Sequence, residues 1–322
     1  MSVLSEKDPK KEPKVTVFTC VFNGARTMHR VFRSMLRQTY RNIEHIIVDD
    51  GSTDMDQYRG ELERYTESAP FDVKVFHKEN GGKHTATNVA WEQATGEFVI
   101  KLDADDELMP HCISFLVEQW FLIPAEERAQ YWCVHGRCKD QTDHQFMGDY
   151  YPENINALPF EEQKRIVPRI RGEKTGLMLK SVLDHYRYPE PKGVKFVTEN
   201  VVWNQITCIY RTWYTNEVVR VYYINEGPSL AHPIRSRQTF SNNAYNKSWF
   251  LLNRKKFPLR GKKQFLEYVV KYAVSYMLGT KEFKQNNRYI SNRKDAVLTI
   301  FQIASVIPAA VMIPVCRIRY RL

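Results

Sequence analysis

Between residues 15 and 102 short apolar runs take turns with stretches of helical spacing. Val15–Val21 is continuously apolar or β-branched and is bounded by Asn23-Gly24, which predicts a buried strand. Residues 25–38 carry Val31, Phe32, Met35 and Leu36 on one helical face. Residues 44–48 form a second apolar run, ending in Asp49-Asp50-Gly51-Ser52. A helical stretch follows at 58–65, then a third strand at 73–77. Gly81-Gly82 opens another helix, Lys83–Gln93. A fourth strand at 98–102 ends in Asp103-Ala104-Asp105-Asp106. Strands alternating with helices predict an α/β fold: a mostly parallel, Rossmann-like sheet flanked by helices. Ligands of such sheets sit beyond the carboxyl ends of the strands. Both acidic clusters lie at such ends.

The alternation breaks down near residue 120. Residues 131–138 read as a buried strand, and they also contain Cys133, His135 and Cys138. A second ligand pair is missing nearby, so the strand is preferred to a zinc cluster. Pro189, Pro191 and Gly193 supply turn signals ahead of Glu199.

Charge divides the chain more sharply than hydropathy does. The net charge is +10, yet residues 233–294 alone hold 15 Lys and Arg against Glu267 and Glu282. A mildly acidic body therefore carries a basic C-terminal region, within which 266–278 reads as an amphipathic helix. Residues 296–316 are uncharged over 21 positions, between Arg293 and Lys294 on one side and Arg317, Arg319 and Arg321 on the other. As a helix this stretch just reaches across a bilayer core. A single span would send one basic flank outward, against the positive-inside tendency, and Pro308 and Pro314 favour a bend. A re-entrant or in-plane segment keeps both flanks on the cytosolic side; the alternative is a helix packed in the core. An anionic membrane surface, rather than nucleic acid, is the expected partner of this region. Residues 1–14 read as a flexible leader without the apolar core of a secretory signal, which predicts a cytoplasmic body with reduced cysteines. The expected division is leader 1–14, catalytic-type domain 15–232 and membrane-associating region 233–322. At 322 residues, 43% of them hydrophobic, the chain can bury such a core.

Three constellations carry chemistry. Asp103 and Asp105 stand at i and i+2 just past a strand, where both can reach one ion if the chain turns. Their hard oxygens suit Mg²⁺ or Mn²⁺, which would offset the charge of a nucleotide diphosphate and of its departure. Asp50, also at a strand end, can accept from a uracil imide or a ribose hydroxyl; the bland alternative is helix capping by Ser52 or Thr53. In Asn80-Gly81-Gly82-Lys83-His84, two glycines allow a phosphate to approach the backbone and Lys83 adds a positive charge at a helix start.

Taken in order, Val15 to Asn23, Gln38-Thr39-Tyr40, Asp49-Asp50-Gly51-Ser52, Gly81-Gly82-Lys83 and Leu102 to Asp106 resemble a family 2 glycosyltransferase of GT-A fold. The resemblance covers residues 15–110. It implies an inverting transferase with a nucleotide diphosphate sugar donor, UDP being the expected nucleotide. It implies that Cys20, Phe22, Asn23 and Asp50 hold base and ribose. Asp103 would face donor and metal, and Asp105 would ligate the metal; Lys83 stands near where relatives often carry other residues, so the phosphate contact of Gly82 and Lys83 rests on the residues themselves. In this family the base that deprotonates the acceptor is a carboxylate before a helix of the second half. Glu199 occupies that place, and Asn200 replaces the second acid of the usual pair. Cys20 stands where a proline is common. Gly172-Glu173-Lys174 resembles a segment of one bacterial branch and has no assigned role. The arginine-tryptophan signature and membrane helices of processive synthases are missing, so one hexose or N-acetylhexosamine per cycle is expected. The expected acceptor is a glycan or a polyprenyl-phosphate-linked sugar of envelope polysaccharide assembly. Two other readings compete: a nucleotidyltransferase, disfavoured by Phe22-Asn23-Gly24-Ala25 after the first strand, and a membrane-docked nucleotide-sugar-binding protein with a degenerate core.

Overall fold

The structure is a computed structural model, and it describes residues 12–142, 146–224, 236–253, 256 and 261–286. The stretch 296–316 and its flanking arginines lie outside the described residues. In chain order the elements are β1 (Val15–Val21), α1 (Met28–Leu36), β2 (Ile43–Asp49), α2 (Arg59–Ser68), β3 (Asp72–His77), α3 (Lys83–Gln93) and β4 (Phe98–Lys101). There follow β5 (Glu107–Leu108), α4 (Cys112–Leu122), β6 (Tyr131–Asp140), α5 (Phe160–Ile166), β7 (Lys174–Leu179) and α6 (Lys180–Leu183). The chain continues with α7 (Asn200–Thr207), β8 (Arg211–Tyr222), α8 (Arg237–Leu252), α9 (Gly261–Leu278) and α10 (Lys281–Asn286).

All eight strands join one sheet in the order β3-β2-β1-β4-β7-β6-β8-β5. The first four are mutually parallel, as the alternating pattern predicts. The later strands mix directions: β7 is antiparallel to both β4 and β6, and β8 runs parallel to β6. Every residue of β2 is buried, which is why its sequence shows no polar alternation. Helix α1 buries Met28, Val31, Phe32 and Met35, while Leu36 is 38% exposed. Those four residues stand at i, i+3, i+4 and i+7 of one helical face, and Leu36 falls at its edge.

Two buried polar residues of β2 are paired from several directions. Glu44 accepts from Thr16 Oγ1 at 2.6 Å, Thr95 N at 2.6 Å, Thr95 Oγ1 at 2.9 Å and Lys74 Nζ at 3.0 Å. His45 lies between Thr19 Oγ1 at 3.1 Å and the Tyr65 hydroxyl at 2.7 Å.

The chain divides into two compact units. The first holds residues 1–80, 86–187 and 206–224, and with them the whole sheet. The second holds residues 81–85, 188–205 and 225–322, with α7 to α10 as its main helices. Within the second unit α8 grips the segment ahead of α7. Asn242 Oδ1 accepts from Lys195 N at 2.8 Å, Asn246 Oδ1 accepts from Thr198 N at 3.0 Å, and Asn246 Nδ2 donates to Phe196 O at 3.2 Å. Amides on one helical face thereby satisfy an irregular backbone that has no ladder of its own.

Candidate active site

Strand β4 ends at Lys101, and the chain turns at once: Asp106 N donates to Asp103 O at 3.2 Å. The turn leaves Asp103 half-buried, Asp105 exposed and Asp106 buried. Beside it stands Arg220 of β8, 2% exposed. Its Nη1 donates to Asp103 Oδ2 at 3.3 Å, its Nε lies 3.5 Å from Asp106 Oδ2, and its Nη2 lies 3.8 Å from Glu173 Oε2. Lys101 Nζ is 3.4 Å from the same Asp103 oxygen. Residues just past Arg220 close the turn from outside. Tyr223 N donates to Asp106 Oδ1 at 3.0 Å, and its hydroxyl donates to Glu107 Oε1 at 3.0 Å. Arg30 packs over the Tyr223 ring at 3.9 Å.

Register explains the gathering. Lys174 of β7 pairs with Arg137 of β6, and Cys138 pairs with Arg220 of β8. Glu173, just before β7, therefore comes to the same end of the sheet as the turn after β4. Burial pushes the Asp106 carboxyl well above the usual carboxylate range, against the lowering pull of Arg220 and with the raising push of Asp103 and Asp105. Burial also disfavours the Arg220 charge, but Cys138, Asp106 and Asp103 more than offset this, and the guanidinium stays charged. Neither Arg220 nor Glu173 is assigned a role by sequence reasoning. Gly172-Glu173-Lys174 was the one available signal, and a lone arginine in a strand gives none.

The donor set fits a hard divalent cation. Asp103 and Asp105 offer carboxylate oxygens, hard donors of the kind that suit Mg²⁺ or Mn²⁺, whereas Asp106 is buried against Arg220 and the Tyr223 amide. No group of three or more His, Cys, Asp or Glu side chains among the described residues is arranged to hold an ion alone. The Cys133, His135 and Cys138 run sits in β6 as a strand. Burial pushes both thiols up, away from the thiolate form that zinc needs. His135 is pushed down to about 3 by burial and by Lys174 and Arg137.

At the ends of β1 and β2 the loops lock together. Asn23 adopts a left-handed φ of 56° and its Oδ1 accepts from Thr53 N at 2.9 Å, while its own N–H donates to Ser52 Oγ at 2.9 Å. Ser52 and Thr53 thus bind Asn23 and cap no helix; the next helical residue is Met55, in a short turn whose N-cap, Asp54, makes no side-chain cap bond. Asp50 is 2% exposed, with Oδ1 accepting from Lys78 Nζ at 2.6 Å and Oδ2 from Asn80 Nδ2 at 3.3 Å. Gly51 has φ of +76°, and a Cβ there would meet Asn80 N at 2.7 Å. Cys20 is half-buried, its Sγ 3.7 Å from Thr87 Oγ1, and Phe22 is 53% exposed. Cys20, Phe22, Asn23, Asp50, Asp103 and Asp105 all belong to the first unit.

Gly82, Lys83 and Glu199 belong to the second unit. Gly82 has φ of +99° and a Cβ would fall 1.9 Å from Lys195 O, so only glycine fits the turn into α3. Lys83 is the first residue of that helix. Glu199 directly precedes α7, and its Oε2 accepts from Trp203 Nε1 at 3.4 Å, one helical turn on.

The model of "Glycosyl transferase family 2" matches residues 16–175. An uncharacterised glycosyltransferase of Nostoc sp. is 41% identical over 105 residues, which cover 33% of this chain and 32% of that protein. The match thus spans about a third of the relative's length. Among solved structures, S. aureus TarS (residues 1–349) in complex with UDP-GlcNAc matches with a TM-score of 0.54 at 15% identity, over 91% of this chain and 79% of that one. The mannosyltransferase PcManGT from Pyrobaculum calidifontis, in complex with GDP-Man and Mn²⁺, matches with a TM-score of 0.52 at 17% identity, over 95% and 88%. At such identities the likeness is one of fold, and the fold is of the GT-A type.

Proposed function

This chain belongs, through residues 16–175, to glycosyl transferase family 2, and on that premise we propose that it is an inverting transferase that moves one sugar from a nucleoside diphosphate sugar, in first preference a UDP-sugar, to a glycan or a polyprenyl-phosphate-linked acceptor. One observation carries the reading. The sheet order sets β2 and β4 on either side of β1, all three parallel, with Asp50 just past the end of β2 and the Asp103 to Asp106 turn past the end of β4. Carboxylates thus flank the crevice where sheets of this kind receive nucleotides.

In this reading Asp50, oriented by Lys78 and Asn80, receives the base or ribose. Cys20, Phe22 and Asn23 line the end of β1 beside it, and Gly82 and Lys83 meet phosphate. Asp105, exposed at the tip of the turn, and Asp103 would hold Mn²⁺ or Mg²⁺. Such an ion, when bound, offsets the diphosphate charge and eases its departure. Glu199, steadied by the Trp203 indole, takes the proton of the acceptor hydroxyl. The acceptor oxygen then bonds to the anomeric carbon from the face opposite the leaving diphosphate. The sugar–phosphate bond breaks in the same displacement, so the configuration inverts.

The basic C-terminal region suits docking on the cytosolic face of a membrane, where a lipid-linked acceptor would be met. Among the described residues no helix is long and apolar enough to cross one.

The deciding experiment is a panel of UDP-, GDP- and dTDP-sugars assayed for hydrolysis with Mn²⁺ and with excess chelator. Release of nucleoside diphosphate from one donor, dependent on metal, is expected. Binding without hydrolysis or transfer would select the degenerate-core reading, and hydrolysis undiminished by chelator would sink the metal-dependent mechanism.

A further inference from the structure

Arg220 stands out because nothing in the reaction just described uses it, yet it touches more of the acidic site than any group assigned there. We infer that Arg220 is a positioning residue of the donor site: it acts through Asp103, fixing the carboxylate that faces donor and metal. The inference rests on the transferase reading above.

Three features carry it. First, the contact to Asp103 is specific. Nη1 of a residue only 2% exposed donates to Oδ2 at 3.3 Å, and Lys101 approaches the same oxygen at 3.4 Å. Both cations take one carboxylate oxygen, which sets the rotation of the group and directs the other oxygen elsewhere. Secondly, the guanidinium is shared. Its other nitrogens lie 3.5 Å from Asp106 and 3.8 Å from Glu173. Removing that charge would leave three neighbouring carboxylates with less to oppose their repulsion, which loosens the turn. Thirdly, β8 delivers Arg220 rigidly. It is paired with Cys138 on one side and with Leu108 of β5 on the other, so the strand that holds Arg220 is anchored on the residues flanking the turn. Lysine could supply the charge but not the planar group that bonds Asp103 while lying within 4 Å of Asp106 and Glu173.

A purely structural role would lower stability and leave ligand affinity alone in whatever protein folds. The test is therefore an affinity. Binding of Mn²⁺ with UDP, and with GDP, is titrated calorimetrically for the full chain, for Arg220→Lys and for Arg220→Met, each checked for fold by near-ultraviolet circular dichroism. The expected result is a loss of tenfold or more in affinity for the metal–nucleotide pair in Arg220→Met, with partial recovery in Arg220→Lys. In the same variants kcat should fall more than donor KM rises. Should the methionine variant fail to fold, the lysine variant decides alone, since it keeps the charge. Wild-type affinity and kcat in a folded Arg220→Lys protein overturn the inference. If the wild-type chain binds neither nucleotide with Mn²⁺, the transferase reading falls and takes this inference with it.

Discussion

Arg220 Nη1 donates to Asp103 Oδ2 across 3.3 Å, joining residues 117 positions apart in the chain. The bond ties the last strand of the first unit to the turn after β4. A buried cation is tolerable only with paired carboxylates around it, and a buried carboxylate only with donors. Asp103, Asp106 and Glu173 supply the first condition, and Arg220, Lys101 and the Tyr223 amide supply the second. The acidic turn is thus held in shape by groups from outside its own segment.

Asp105 is exposed at the tip of that turn, and its conversion to asparagine keeps the size while removing the charge that attracts a cation. Asp105→Asn should lower turnover by about 10²–10³, since a Lewis-acid cation stabilises the leaving charge by several kcal/mol. Excess Mn²⁺ should restore part of the rate. Steady-state kinetics across a Mn²⁺ titration checks this, and an unchanged metal dependence would remove Asp105 from the site.

Glu199 carries the weight of the base assignment, with Asn200 beside it unable to accept a proton. Glu199→Gln preserves the Trp203 contact and should cost about 10²–10⁴ in transfer rate. Donor affinity should stay as in the wild type. Near-normal transfer by this variant would point to another carboxylate.

Acid should destabilise the first unit in two stages. Burial holds the His45 imidazole down at about 3, so the folded form stays neutral while the unfolded chain takes up a proton below about 6.5. Stability then falls as pH drops from there towards 3. Burial alone would raise the Glu44 carboxyl, but bonds from Thr16, Thr95 and Lys74 bring it to about 2. Its contribution is complete above about 4.5 and is lost as pH falls through 2. His135, held down at about 3 in the same unit, adds to this fall, and Asp106, raised by burial, opposes it; the melting temperature should be lower at pH 3 than at pH 7, and His45→Gln should make the limb between 6.5 and 4.5 shallower. An equally steep limb in that variant would refute the assignment.

The basic region should bind anionic vesicles in proportion to its charge. Each well-placed Lys or Arg contributes about 1 kcal/mol at an anionic surface, a term that salt screens. A chain ending at Lys294 keeps the 15 cations of residues 233–294 and loses the uncharged stretch 296–316. Cosedimentation should show the shortened chain released by high salt and the full chain retained. A full chain that ignores vesicles altogether would exclude membrane docking.

Much of the first half was legible from sequence because its signals are local. Strand runs, the glycines at 51 and 82, and the carboxylates at 50, 103 and 105 each follow from a few neighbouring residues. Strand ends in a parallel sheet face one way, so the alternating pattern alone brought Asp50 and Asp103 to the same edge. The reach of Asn23 to Thr53, which closes β1 against the loop after β2, was not legible, and Ser52 was available as a cap instead. Nor was the order β4-β7-β6-β8-β5, because pairing between distant strands depends on register that no short window contains. Arg220 shows the limit most clearly. A lone arginine among the valines of β8 carries no local signal, yet it lies buried in the acidic site. Local periodicity determined the strands, helices and the chemistry at their ends; only tertiary packing decided which distant cation would compensate those carboxylates, because burial of a charge is settled by what surrounds it in space.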